Sequence, residues 1–148
     1  MRKIVIANQK GGVGKTTTAV NLAYGLAQSG RKTLIVDIDP QANATSGVGI
    51  DRATIRRTTY HALVLHQPLR EIVLTTSYGF NIVPSDRNLA GAEVELIEAS
   101  GRDVLLREAI APIKNDYDFI LLDCPPALNL LTLNALAAAD SLLVPVQC

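Results

Sequence analysis

Two lysines bracket a glycine cluster in "NQKGGVGKTTTAVNLA", Asn8 to Ala23: Lys10 stands before Gly11, Gly12 and Gly14, and Lys15 follows them. Glycines at this spacing let successive backbone N–H groups turn toward one point, and a helix starting about Lys15 adds unpaired donors and partial positive charge. The result is an anion cradle. Lys15 can reach terminal phosphates as a point charge, and the Thr16 hydroxyl is placed to ligate a magnesium ion that bridges phosphate oxygens. Thr17 adds a further hydroxyl on the same turn, and Val13 completes the loop. The strict phosphate-loop pattern would need glycine where Gln9 stands, and it leaves Lys10 over.

A magnesium ion held this way needs a carboxylate from the end of a buried strand beside the loop. Asp123, closing "DFILLD", occupies such a place; the plain alternative is a turn-capping aspartate before Pro125-Pro126. A second pair, Asp37 and Asp39, closes "TLIVD" and precedes Pro40. Residues two apart on a strand share a face, so both could look into one crevice, unless the strand already ends there. Asp39 is the candidate to orient an attacking water and a further candidate on the metal side. A carboxylate is a weak base toward water, so it would position and polarise the water rather than deprotonate it before attack. His61 and His66 lack metal-ligand spacing and read as core-edge or surface residues. Cys124 reads as a small buried side chain, and Arg56-Arg57 is too short a basic run to claim nucleic acid.

The elements that must position these groups form an α/β pattern. Continuous apolar runs, "KIVIAN", "TLIVD", "FNIVP", "DFILLD" and "SLLVPV", suit a sheet buried on both faces. Helices are predicted over Lys15–Ser29, Thr59–His66, Asn88–Ala99, Arg102–Ile113 and Leu128–Ala138. Their alternation with the strands implies mostly parallel pairing, right-handed crossovers and helices on both faces. The polar segment Asn43 to Arg57 reads as a loop. "SLLVPVQC" reads as a core strand whose sheet edge lacks its next covering element, so the chain is expected to be one domain truncated at its C-terminus.

Composition narrows the setting. Fourteen basic residues balance fourteen acidic ones over 148 residues, so total charge advertises no nucleic-acid or acidic-membrane partner. Two cysteines, without C-x-x-C or a Cys/His cluster, argue against a disulfide framework or a protein-made zinc site. The apolar stretch Ala127–Val146 is interrupted by Asn129, Asn134, Asp140 and Pro145. A membrane span holds about 20 mostly apolar residues, so a buried helix followed by a strand is expected there.

Three motifs coincide with one family. "KGGVGKTTT" resembles the deviant Walker A loop of the ParA/MinD superfamily of ATPases, "VDIDPQANATSG" the ParA switch segment, and "ILLDCPP" the Walker B strand. "VPSDRNLAGAEVEL" and "LNALAAADSLLVPVQ" are also similar to ParA- or Soj-type proteins that partition chromosomes and plasmids. The resemblance implies a P-loop NTPase-like fold and slow magnesium-dependent ATP hydrolysis in the cytoplasm, on the nucleoid. It further implies a homodimer with ATP at its interface, non-specific DNA binding, and stimulation by a ParB-type activator, with no membrane. By the same resemblance Lys10 crosses the dimer to the partner's nucleotide. Gly11 through Thr17 form the phosphate loop, Asp39 is the switch aspartate and Asp123 lies on the metal side. Much of the DNA-binding surface in this family lies beyond the matched length. Adenine specificity rests on the resemblance alone. The alternatives are a nucleotide-gated module that positions other cargo, chemoreceptor-type or MinD-like, and an inactive fragment.

Overall fold

The computed structural model describes residues 1–148. Six strands, β1 (Arg2–Ile6), β2 (Thr33–Asp37), β3 (Leu74–Thr75), β4 (Asn81–Val83), β5 (Phe119–Asp123) and β6 (Ser141–Leu143), form one sheet. Their order is β3-β4-β2-β5-β1-β6. All neighbours pair in parallel except β3 and β4, which are antiparallel. The helices are α1 (Lys15–Gln28), α2 (Asn43–Gly47), α3 (Thr59–Leu63), α4 (Ala92–Glu95), α5 (Leu105–Ile110) and α6 (Leu130–Ala138). The architecture is the mostly parallel P-loop NTPase-like sheet expected from the sequence.

Alternate residues of the central strands feed two cores, because successive side chains leave a strand on opposite faces. Leu34, Val36, Ile120 and Leu122 pack on one face with Leu106, Ile110, Leu131 and Ala135 of α5 and α6. Ile35, Ile82 and Leu121 pack on the other with Ala19 and Ala23 of α1 and Ala44 of α2. Small residues on α1 let its backbone lie close to the sheet, which fixes the helix that begins at the glycine loop. No helix is long and apolar enough to cross a membrane.

Several elements differ from expectation. The segment Asn43 to Arg57 contains α2 and a 3₁₀ turn over Arg52–Thr54 rather than loop alone. The predicted helix Asn88–Ala99 splits into a 3₁₀ turn, Arg87–Gly91, and the short α4. Asp86 caps that turn through Asn88 N at 3.1 Å, and Gly91 disfavours one continuous helix. The predicted helix Arg102–Ile113 begins at Leu105 and tightens into a 3₁₀ turn around Pro112, whose nitrogen has no hydrogen to donate. The helix predicted over Thr59–His66 stops at Leu63, and His66 takes a left-handed backbone, φ 54°. Asn129 caps the helix expected over Leu128–Ala138, which starts at Leu130. Within the run "SLLVPV", β6 covers Ser141–Leu143, shorter than the strand expected, and Leu142 is exposed.

Candidate functional site

The glycine loop leaves the carboxyl end of β1 between its neighbours β5 and β6. Gly12 and Gly14 have φ of 71° and 88°, in the left-handed region that a side chain resists. Gly14 is the N-cap of α1 and has no side-chain cap, so the first amides of the helix stay available at the loop. Val13 is buried and anchors the loop from behind. Lys15, also buried, bends its Nζ back to the carbonyl of Lys10 at 3.2 Å, which holds the ammonium over the loop. Gly11, Gly12, Gly14, Lys15, Thr16 and Thr17 line a cleft of about 230 Å³.

Asp39, Asn43 and Pro126 line the same cleft. Behind the loop, Thr16 Oγ1 donates to Asp123 Oδ2 at 2.8 Å. Asp123 is fully buried, and its second oxygen, Oδ1, has no hydrogen-bond partner. Burial, followed by the charge of Asp37 on the adjacent strand, pushes its carboxyl up to about 7. Strand register places Asp123 opposite Ile6 on one side and Asp37 on the other.

An orphaned buried carboxylate oxygen beside a hydroxyl is a hard, oxygen-only donor set, which fits magnesium. No cluster of three His, Cys, Asp or Glu side chains that could hold a metal is present. An ion here would complete its shell with phosphate oxygens and water, as magnesium ordinarily does.

Asp37 does not share the cleft with Asp39, contrary to the alternation expected along β2. The strand ends at Asp37, whose buried carboxylate turns inward and accepts from Asp39 N at 3.1 Å. Thr45 N and Thr45 Oγ1 donate to its other oxygen at 3.0 and 2.7 Å. Burial raises Asp37 to about 6, against the lowering effect of these bonds. The same Thr45 hydroxyl accepts from Ser85 N at 3.0 Å, while Ser85 Oγ donates to the carbonyl of Asp39 at 2.7 Å. Asp37 thus organises the backbone that carries Asp39, and Asp39 Oδ1 accepts from Gln41 N at 2.9 Å.

Lys10 is exposed, and its side chain makes no hydrogen bond or ion pair within the chain; its backbone N donates to Asn8 Oδ1 at 2.9 Å. His61 caps α3 by accepting from Thr58 N at 3.0 Å, and His66 is exposed. Cys124 is buried, which pushes its thiol up and leaves it protonated. Sequence reasoning missed Asn43, Thr45 and Ser85. Asn43 follows Asp39 closely in "DPQAN", which was a usable signal, whereas Thr45 and Ser85 become relevant only through packing. A larger cleft of about 750 Å³ lies by β3, between residues such as Ile55, Arg56 and Leu74, and contains none of the loop groups.

All 148 residues match the model of a family described as the AAA domain. The chain is 54% identical over 148 residues to the chromosome partitioning protein ParA of Myxococcus xanthus, covering 99% of this chain and 52% of that protein. It is 51% identical to the sporulation initiation inhibitor protein Soj of Bacillus subtilis, over 98% of this chain and 58% of that protein. It thus spans about half the length of these curated relatives. Among solved structures, cobyrinic acid a,c-diamide synthase from Mycobacterium smegmatis, with bound ATP analogue and magnesium, superposes with a TM-score of 0.98 at 38% identity. That match covers all of this chain and 61% of the synthase. The glycine loop and its neighbouring strand ends therefore sit in a chain that belongs to the AAA domain family, among relatives of the ParA and Soj partitioning type.

Proposed function

We propose that residues 1–148 form one nucleotide-binding domain of a magnesium-dependent ATPase of the ParA type. The observation that carries this reading is the convergence of Lys15, Thr16 and Asp39 on one cleft, with Asp123 directly behind Thr16. Loop amides and the N-terminus of α1 bind the phosphates of ATP, and Lys15 supplies positive charge to them. Thr16 and Asp123 would hold magnesium, which supplies charge against the phosphate oxygens. Asp39, in the same cleft, orients the water that attacks the terminal phosphate and is a further metal-side candidate through water. Asp37, Thr45 and Ser85 keep its backbone in place.

Lys10, free of partners within its own chain, is assigned to the nucleotide of a second copy, so that ATP becomes part of a homodimer contact. In the full-length protein, contacts with non-specific DNA are assigned mainly to the length that its relatives carry beyond the matched half, and a ParB-type protein is the activator. The setting is the nucleoid in the cytoplasm. The test is ATP turnover by the full-length protein, alone and with DNA and a ParB-type partner. Slow turnover raised by the two together supports the partition reading. Turnover insensitive to both removes that reading while leaving the nucleotide site, and an absence of turnover removes the ATPase.

A further inference from the structure

Between Asp39 and Asn43, both of which line the cleft, the chain makes a turn with an uncommon backbone. Ala42 has φ 56° and ψ 39°, the left-handed conformation, although it carries a side chain and is fully buried. A left-handed alanine is held only where its surroundings over-determine it. The surroundings here include one side chain from outside the turn. Arg52 Nη2 donates to the carbonyls of both Gln41 and Ala42, and Arg52 Nε donates to Ser46 Oγ at 2.8 Å. Its backbone is fixed in turn. Asp51 caps the 3₁₀ turn by accepting from Ala53 N at 2.9 Å, and Thr54 Oγ1 donates to the carbonyl of Asp51 at 2.8 Å.

A planar guanidinium suits this task, because its fixed fork of donors can grip two adjacent carbonyls and a hydroxyl together. From the inside, Ser85 and Asp37 hold Asp39 through its carbonyl and its amide. From the outside, Arg52 holds the next turn, whose Gln41 amide donates to Asp39 Oδ1. We infer that Arg52 is a positioning residue for hydrolysis: it fixes the Gln41–Ala42 turn and, through it, the carboxylate of Asp39 in the cleft. Arg52 does not line the cleft and has no contact with the phosphate loop, so it acts on turnover rather than on the grip on ATP.

This inference rests on the ATPase reading, and its test separates the two. Single-turnover and steady-state ATP hydrolysis would be measured on the full-length protein and its Arg52→Ala, Arg52→Lys and Ser46→Ala variants, with ATP affinity and melting temperature determined in parallel. Displacing a catalytic group by a fraction of an ångström is expected to lower kcat by about ten- to a hundredfold in Arg52→Ala, with ATP affinity within about twofold of the unaltered protein. Arg52→Lys, which keeps the charge without the fork, falls between the two, and Ser46→Ala shows a smaller loss in the same direction. Arg52→Ala with normal kcat, or with kcat and ATP affinity falling together, would overturn the inference while leaving the ATPase reading in place. No hydrolysis by the unaltered protein would overturn both.

Discussion

Thr16 and Asp123 lie 107 residues apart in the chain and meet in a 2.8 Å hydrogen bond, at the junction of the glycine loop with the end of β5. The bond satisfies one oxygen of a fully buried carboxylate and leaves the other without a partner. Burial that disfavours the charged form is tolerable where a cation compensates it.

Asp123→Asn is expected to stabilise the protein without metal at pH 8 while weakening its response to magnesium. The folded carboxyl is raised to about 7, so its contribution to stability is fully present below the unfolded value near 4 and is lost as pH rises through 7. Asparagine can still accept from Thr16 and never ionises. Chemical denaturation should show a gain of roughly 1–3 kcal/mol at pH 8 that vanishes near pH 4. A loss of stability at pH 8 would contradict the burial argument.

Asp39→Ala should retain ATP binding and lose turnover. Asp39 lines the cleft, and its carboxylate accepts from Gln41 N rather than from any residue of the glycine loop. Binding of a fluorescent ATP analogue and release of phosphate, measured on one preparation, check both halves. Unchanged turnover would remove the assigned role.

The two lysines should separate in mutagenesis. Lys15 is buried and turned over the loop, so Lys15→Ala is expected to weaken ATP binding itself by at least tenfold, about 1.4 kcal/mol. Lys10 is exposed and unpaired, so Lys10→Ala should bind ATP normally as a monomer and fail to form dimers with it. Sedimentation with and without ATP distinguishes the two, and normal ATP-dependent dimers of Lys10→Ala would refute its role.

The edge strand offers a control away from the cleft. Asp140 Oδ2 accepts from Lys3 N at 2.8 Å, and its other oxygen lies 3.2 Å from Lys3 Nζ, pinning the start of β6 to β1. The Lys3 backbone bond is the main cause that lowers the Asp140 carboxyl below its ordinary range. That contribution is present above the unfolded pKa and is lost as pH falls through the folded one. Asp140→Asn should therefore be slightly less stable at pH 7, with the difference shrinking as acid protonates Asp140, by thermal melts, with ATP affinity unchanged.

Much of this was legible in the sequence where local and global signals agreed. Val5, Leu34 to Val36 and Ile120 to Leu122 are apolar without interruption because both faces of their strands are covered, and the glycines are legible because two of them take backbones that other residues resist. Asp37 misled because alternation along β2 presumes that the strand continues. The strand stops at Asp37, and its carboxylate is captured by Thr45. Helix α2 was missed because "NATSG" has little helical preference of its own, and its place depends on bonds from Asp37 and Arg52. Those contacts exist only after folding, and so does the role of Ser85.

The central claim is that the loop and Asp123 form one magnesium–triphosphate site. It is tested most directly by calorimetric titration of ATP into the full-length protein, with magnesium and with chelator, for the unaltered protein and for Asp123→Asn. The account expects magnesium to tighten ATP binding to the unaltered protein by at least tenfold and to have little effect on Asp123→Asn. Equal tightening by magnesium in both proteins, or no ATP binding by the unaltered one, would contradict it.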